Sequence, residues 1–509
     1  MAMRLRLFPF FILLAVSLAA CSDDAEEAPK PKEPDAVTIA NTSFTALPEG
    51  GTVEIPFTAN TDWSMEVPNT SEHFNGLICE RKGRAGKIIA KYVARPNTKG
   101  TSRTTTIKIT AGRASAEVVV RQEPVDIQLP TEDEVRAYLV RLYETTDGPD
   151  RRFKWNLDKP VSQWGPEVRY ENGLLTLNFN ERGLNGNIDL SGCKALISLK
   201  CSKNQIKKID VSGCPLLSYV SCTNTGLEEI NLSGCLSLSE ISIDYNNLRS
   251  LDIGWSKTLW RLVVSHNQLE SLDLSECVNL KSLGCNNNRL KTLEIPHRQL
   301  LYDCFCYENE LRSLDVSDSP VLGTLNCGDN EIESLNVKGC PRLNWIYCYN
   351  NRLTEVDTSD QKDVLENYYC FSNRITTLDM TGYRNLSELH CSDNGMTSLI
   401  VAGSRNMRWL YCSYNRLETL DLTDLYKHFE RLDCSFNRLR EVKCLTDHRY
   451  IRLWCQGNRI GGEIPEYFDN CLEFEYDRRY EYRPDTGTYS DLGYGWYYPG
   501  EPEKMKHER

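Results

Sequence analysis

Between Leu174 and Ile460 an asparagine returns about every 21 residues, and this period constrains the fold more than any other feature of the chain. The positions are Asn204, Asn246, Asn267, Asn288, Asn309, Asn330, Asn351, Asn373, Asn394, Asn415, Asn437 and Asn458. Arg182 opens the series in register and Thr225 substitutes once, which makes fourteen units. One unit runs Leu343, Trp345, Ile346, Cys348, Asn351, Leu353, Val356. So short a unit cannot close a core of its own. It buries its apolar face only against the units before and after it, so the chain must form a solenoid with a cap at each end.

The pattern within a unit sets the local structure. Leu-x-Cys alternates, as a strand buried on one face must. Stacked units place these strands in parallel, about 4.8 Å apart, with their backbones paired. The Asn is expected to turn inward and bond backbone groups that a tight bend leaves unpaired. A second alternation, as in Leu272-Asp273-Leu274-Ser275, allows an extended segment on the opposite side, where about 21 residues leave little room for a helix.

The full pattern, L-x-x-L-x-C-x-x-N-x-L-x-x-L-D-L-S, resembles the leucine-rich repeat in a short bacterial form with Cys often replacing a Leu. The resemblance covers residues 174–460 and implies an arc with a parallel concave sheet. Ahead of it, Thr131-Glu132-Asp133-Glu134 is a capping box that starts a helix with Val135, Leu139, Leu142 and Tyr143 on one face. Residues 130–173, with Trp155 and Trp164, resemble the N-terminal cap of such repeats.

Residues 1–20 form a secretory signal, with Arg4 and Arg6 before the apolar run Leu7 to Leu18. Leu18-Ala19-Ala20-Cys21 resembles a bacterial lipobox, which implies lipid on Cys21 and a membrane anchor; the other reading is a plain cleaved signal. Ser22-Asp23-Asp24 is similar to the acidic export signal of surface lipoproteins of the Bacteroidetes group, which implies an outer-membrane location facing the cell surface. Residues 21–36, rich in Pro, Lys and Glu, form a tether.

From residue 37 to 125, short alternating runs broken by Gly, Asn and Pro indicate a β-sandwich. Asn60-Thr61-Asp62-Trp63-Ser64, the stretch from Asn97 to Arg103 and the closing Val120-Arg121-Gln122-Glu123-Pro124 resemble a BACON domain, an immunoglobulin-like module. That resemblance implies either carbohydrate binding or a spacer. Trp63 reads better as a core anchor than as a sugar platform, because large aromatics dominate small sandwich cores. The chain as a whole is therefore expected to be mainly β: a sandwich, a small helical cap, the repeats, and a C-terminal cap with an aromatic tail over 461–509.

Of the 21 cysteines, eleven share one apolar slot from Cys201 to Cys455, and Cys193, Cys214, Cys235, Cys277 and Cys340 share a second. In parallel rungs their Cβ atoms lie near 4.8 Å, beyond the ~3.8 Å a disulfide prefers, so a reduced packing ladder is expected. No Cys-x-x-Cys, H-E-x-x-H or phosphate loop occurs, and the Asp of the L-D-L step is periodic, hence part of the coil. No cofactor, metal or enzymatic activity is expected. The net charge of −12 argues against nucleic acid.

Chemistry gathers instead on the outward positions of the strands. Early units carry mostly small or polar residues there. From the seventh unit aromatics appear: Phe305, Tyr307, Trp345, Tyr347, Tyr349, Tyr369, Phe371, Trp409, Tyr411, Tyr414 and Trp454. Aromatics suit any pleated surface, but strand propensity alone does not crowd them into half of one face. A contiguous exposed aromatic patch marks an interaction site. The expected partner is a protein, with a glycan as the alternative.

Overall fold

The computed structural model describes residues 34–48, 50–67, 76–78, 82–94, 97, 100–146, 155–253, 256–295, 299–425, 429–443, 452–460 and 473–475. The signal segment, Cys21 and the tail from Tyr480 to Pro502 lie outside these residues. The protein is mainly β. Among the described residues, no helix is long and apolar enough to cross a membrane.

The first folded unit is a two-sheet sandwich. One sheet orders Val37–Thr38, Gly51–Ala59, Gly86–Ala94 and Gly76–Ile78; the other orders Ser43–Ala46, Ala114–Gln122, Arg103–Ala111, Trp63–Glu66 and Lys82–Gly83. Their inner faces share one core, with Ile55 and Tyr92 from the first sheet and Met65, Ile107 and Val118 from the second. Trp63 is 4% exposed and meets Phe57 edge-on at 5.1 Å. Its ring lies over Gly83, where any Cβ would collide with it. Trp63 is thus a core residue, with no ring face to offer a sugar.

Helix α1 (Glu132–Thr146) begins at the capping box. The Thr131 backbone N–H donates to Glu134 Oε2 at 2.7 Å, and the Glu134 N–H donates to Thr131 Oγ1 at 3.3 Å. Val135, Leu139, Leu142 and Tyr143 are its buried face. They join Trp155, Trp164 and Phe179 in an aromatic plug, with Trp155 centroids 5.3 Å from both Tyr143 and Trp164. The first edge of the long sheet is closed by a hairpin, Val168–Glu171 antiparallel to Leu174–Asn178. Its two-residue turn, Asn172-Gly173, has both φ angles positive (53° and 77°), as a hairpin turn of this length requires.

The long sheet has sixteen strands: that antiparallel strand, fourteen parallel rungs, and Glu473–Glu475 paired beyond the last rung. In order, rungs 1–7 are Leu174–Asn178, Leu196–Lys200, Tyr219–Ser221, Glu240–Ser242, Arg261–Val263, Ser282–Gly284 and Asp303–Phe305. Rungs 8–14 are Thr324–Asn326, Trp345–Tyr347, Asn367–Tyr369, Glu388–His390, Trp409–Tyr411, Arg431–Asp433 and Arg452–Trp454. The opposite side of the coil is also extended, in short parallel groups such as Asn185–Asp189, Gln205–Asp210 and Glu229–Asn231. Here the periodic Asp shapes the turn: Asp273 Oδ1 accepts the Ser275 N–H at 2.8 Å, and Asp315, Asp379 and Asp421 do the same for the residue two ahead. These carboxylates are committed to the coil.

Candidate functional site

Each rung turns through a tight bend into the next segment, and the bend needs a left-handed residue just before the Asn. Lys203, Asn224, Tyr245, His266, Asn287, Glu308, Asp329, Asn350, Ser372, Asp393, Tyr414 and Phe436 all have φ between 50° and 57°. This conformation costs a non-glycine residue about 1–2 kcal/mol. The Asn beside it offsets that cost. Asn351 Nδ2 donates to the carbonyls of Cys327 (3.0 Å) and Cys348 (3.1 Å), while its Oδ1 accepts the Ile332 N–H at 2.9 Å. One carboxamide thereby satisfies backbone groups of two successive rungs, and the others repeat the scheme. Sequence reasoning found the Asn but missed the left-handed position, whose residue types vary too much to make a pattern.

The 17 described cysteines are all buried. Burial pushes the Cys348, Cys391 and Cys434 thiols up, and that of Cys370 to about 12. Cys201 Sγ lies 2.6 Å from Cys222 Sγ on the next rung. The second slot is more than apolar filling. Cys214, Cys235 and Cys340 each donate a thiol hydrogen to a carbonyl 24 residues back, at 3.1–3.2 Å. Ser404 and Gln361 make the same bond in the same place, so the slot selects a small or flexible donor.

On the concave face the aromatic residues fall into columns. Trp345 and Trp409 occupy the first outward strand position. Trp345 is 41% exposed, and its indole N–H donates to Glu366 Oε2 at 3.3 Å. Trp409 repeats this with Glu430 at 3.3 Å, and the Arg431 guanidinium covers its ring at 4.5 Å. Phe305, Tyr347, Tyr369, Tyr411 and Trp454 occupy the second outward position, where strand register makes neighbours of Tyr347, Tyr369, His390 and Tyr411. Their centroids are 4.8, 4.2 and 4.0 Å apart in sequence. Tyr307, Tyr349 and Phe371 stand one step further, with Tyr349 and Phe371 stacked at 4.8 Å and 3°. Tyr349 lies over Gly328, the one rung residue in that column without a side chain to obstruct it.

Two residues are placed differently from the sequence expectation. Tyr411 is only 9% exposed, because His390 and the neighbouring rungs cover it. Tyr414, 46% exposed, sits at a left-handed position on the rim and stacks on Phe436 at 4.6 Å. His390 is clamped between Tyr369 and Tyr411, and desolvation lowers its pKa to about 3. Burial and the Glu388 carboxylate, which accepts the Tyr369 hydroxyl, push Tyr369 well up. Exposed Tyr245 and Tyr302 flank the same face and went unnoticed, since neither lies on an outward strand position. Among the described residues no group of His, Cys, Asp or Glu is arranged to hold a metal ion.

No family model matches the chain, and no curated protein matches it. Solved structures do. The functional domain of InlJ from Listeria monocytogenes, described as including a cysteine ladder, is 25% identical over 52% of this chain and 64% of its own, with TM-score 0.45. YopM from Yersinia enterocolitica is 24% identical over 58% of this chain and 66% of its own, with TM-score 0.45. YopM from Yersinia pestis, a leucine-rich effector protein, is 25% identical over 59% of this chain and 88% of its own, with TM-score 0.46. The chain thus spans less than two thirds of the first two. Its parallel rungs, Asn ladder and extended outer side are themselves those of a leucine-rich repeat solenoid.

Proposed function

We infer that this chain is a non-enzymatic cell-surface lipoprotein that recognises a protein partner through the concave aromatic face of its repeats. The observation that carries the reading is the run of rings over rungs 9–12, with Trp345 projecting from it into solvent. Trp, Tyr and Arg dominate binding energy where they are presented on a rigid surface, and a stacked sheet is rigid. The lipobox at Cys21 and the acidic Ser22-Asp23-Asp24 support an outer-membrane lipoprotein of the Bacteroidetes type, and the buried Trp63 supports a BACON-like sandwich that acts as a spacer.

The test is the double variant Trp345→Ala with Tyr347→Ala in the full-length chain, screened beside the parent against protein and glycan arrays. The expected outcome is a protein ligand bound by the parent and lost roughly thirtyfold or more by the variant, with folding retained. Ligands confined to neutral glycans would overturn the protein reading in favour of polysaccharide capture. Unchanged affinity would move the site off this face. For the anchor, Cys21→Ala should release the protein from membranes; full retention with lipid on another residue would refute the lipobox.

A further inference from the structure

The outward positions of rungs 7–11, together with the rim beside them, share a charge property that the flanking rungs lack. Counting from the residue before each strand to the left-handed residue after it, these rungs carry Asp303, Glu308, Asp329, Glu366, Glu388 and Asp393. The same positions hold no Lys or Arg. The flanking rungs do: Arg261 and Lys281 on rungs 5 and 6, and Arg408, Arg431 and Arg452 on rungs 12–14, while rungs 3 and 4 hold none. Arg352, just past the bend of rung 9, faces Glu331 at 3.3 Å and is held away from the six.

None of the six carboxylates is in an ion pair among the described residues. Their partners are neutral donors: Asn287 for Glu308, Asn350 for Asp329 (2.6 Å), Trp345 for Glu366 (3.3 Å), Tyr369 for Glu388, and Ser372 for Asp393 (2.8 Å). Asp303 keeps one carboxylate oxygen buried without any partner. Glu308 and Asp329 hold the same position on adjacent rungs, about 4.8 Å apart along the sheet, so their charges repel each other. The aromatic rings point to the same complement, because a ring face attracts cations. Two independent features of one surface therefore favour positive charge.

Resting on the protein-binding reading above, we propose that the concave face of rungs 7–11 binds an extended, cationic segment of a polypeptide through its Arg or Lys side chains. Five rungs span roughly 19 Å, the length of about six extended residues. Guanidinium or ammonium groups spaced along such a segment meet carboxylates on the rung edges, and their alkyl stems lie on the rings between them. A neutral glycan would use the rings but would leave the six carboxylates uncompensated.

The experiment uses the full-length chain and two dye-labelled probes, nona-arginine and the uncharged nona-citrulline. One variant neutralises the face: Glu308→Gln, Glu366→Gln, Glu388→Gln and Asp393→Asn. A control removes as many charges elsewhere: Glu294→Gln, Glu355→Gln, Glu418→Gln and Glu441→Gln, all on exposed residues. Melting temperatures establish that both variants fold. Nona-arginine should bind the parent, weaken roughly tenfold or more in the first variant and less than about twofold in the control. Its binding should also fade as ionic strength rises from about 0.05 to about 0.5 M. Equal losses in both variants, or equal binding of nona-citrulline, would overturn the proposal. So would a partner protein that depends on Trp345 and Tyr347 yet binds the neutralised variant undiminished, and that result would leave the protein-binding reading standing.

Discussion

Rungs 2–6 and rungs 7–12 share one inward pattern and differ in what they turn outward. Inside, most rungs of both groups stack Leu or Ile on Cys, Ile or Val, with Val220, Cys304 and Tyr368 as the exceptions, and each bend is held with an Asn or, once, Thr225. Outside, the early rungs show Ser198, Ser221, Ser242 and Ser282, while the later ones show Trp345, Tyr347, Tyr369 and Trp409. Every unit must fit its two neighbours, so the inward side is fixed by stacking and cannot drift. The outward side meets solvent or a partner and is free to specialise. The later rungs, however, are not bare display: their rings pack on one another, so part of the specialised surface has itself become core.

The largest expected effect tests the sameness of the interior. Leu248→Ala in the early half and Leu353→Ala in the late half should each cost about 2–5 kcal/mol in urea unfolding, because both delete fully buried methyl groups. A late-half cost several kcal/mol above the early one would show that the interior is not uniform. Next comes His390, which has no counterpart in the early rungs. Its folded pKa lies near 3, below the ordinary 6.5, so between these values the unfolded chain binds the proton and stability falls as pH falls. The slope is about 1.4 kcal/mol per pH unit, and about 3 kcal/mol should be lost by pH 4. His390→Phe should flatten the slope between pH 6.5 and 4.5; parallel curves for parent and variant would mean that the imidazole is not sequestered.

A smaller effect separates the two cysteine slots. Cys348→Ser should cost about 1–3 kcal/mol, since it buries a hydroxyl in an apolar slot. Cys340→Ser should cost about 0.5 kcal/mol or less, because Ser404 already makes the same carbonyl bond in its own coil. Equal costs would merge the slots. The smallest is Trp345→Ala, expected within about 1 kcal/mol because the ring is 41% exposed; a loss like that of Leu353→Ala would make the concave rings structural.

The inward half of each unit was legible because it repeats. Leu343, Ile346, Cys348 and Leu353 recur with fixed spacing, and a buried strand face admits few substitutes. The helix start at Thr131 was legible for the same kind of reason, since a capping box is a local bond between residues three apart. The candidate face was half legible. Its aromatic enrichment could be counted, but its accessibility could not, because Tyr411 is covered by His390 from the preceding rung. Three of the six carboxylates, Asp303, Glu388 and Asp393, stand among the aromatics in the sequence, but that all six share one region was not legible, because they occupy different columns of different units.

The sequence by itself determined the solenoid, its rung count and its inward faces, because a short period with no core of its own leaves only stacking as a way to bury apolar area. Tertiary structure alone decided which outward rings remain available and which close on each other. It also decided that Tyr414 stands on the rim and that the second cysteine slot donates a bond. Those outcomes depend on backbone dihedrals at the bends and on which side chains from adjacent rungs meet, and neither is a property of one repeat read alone.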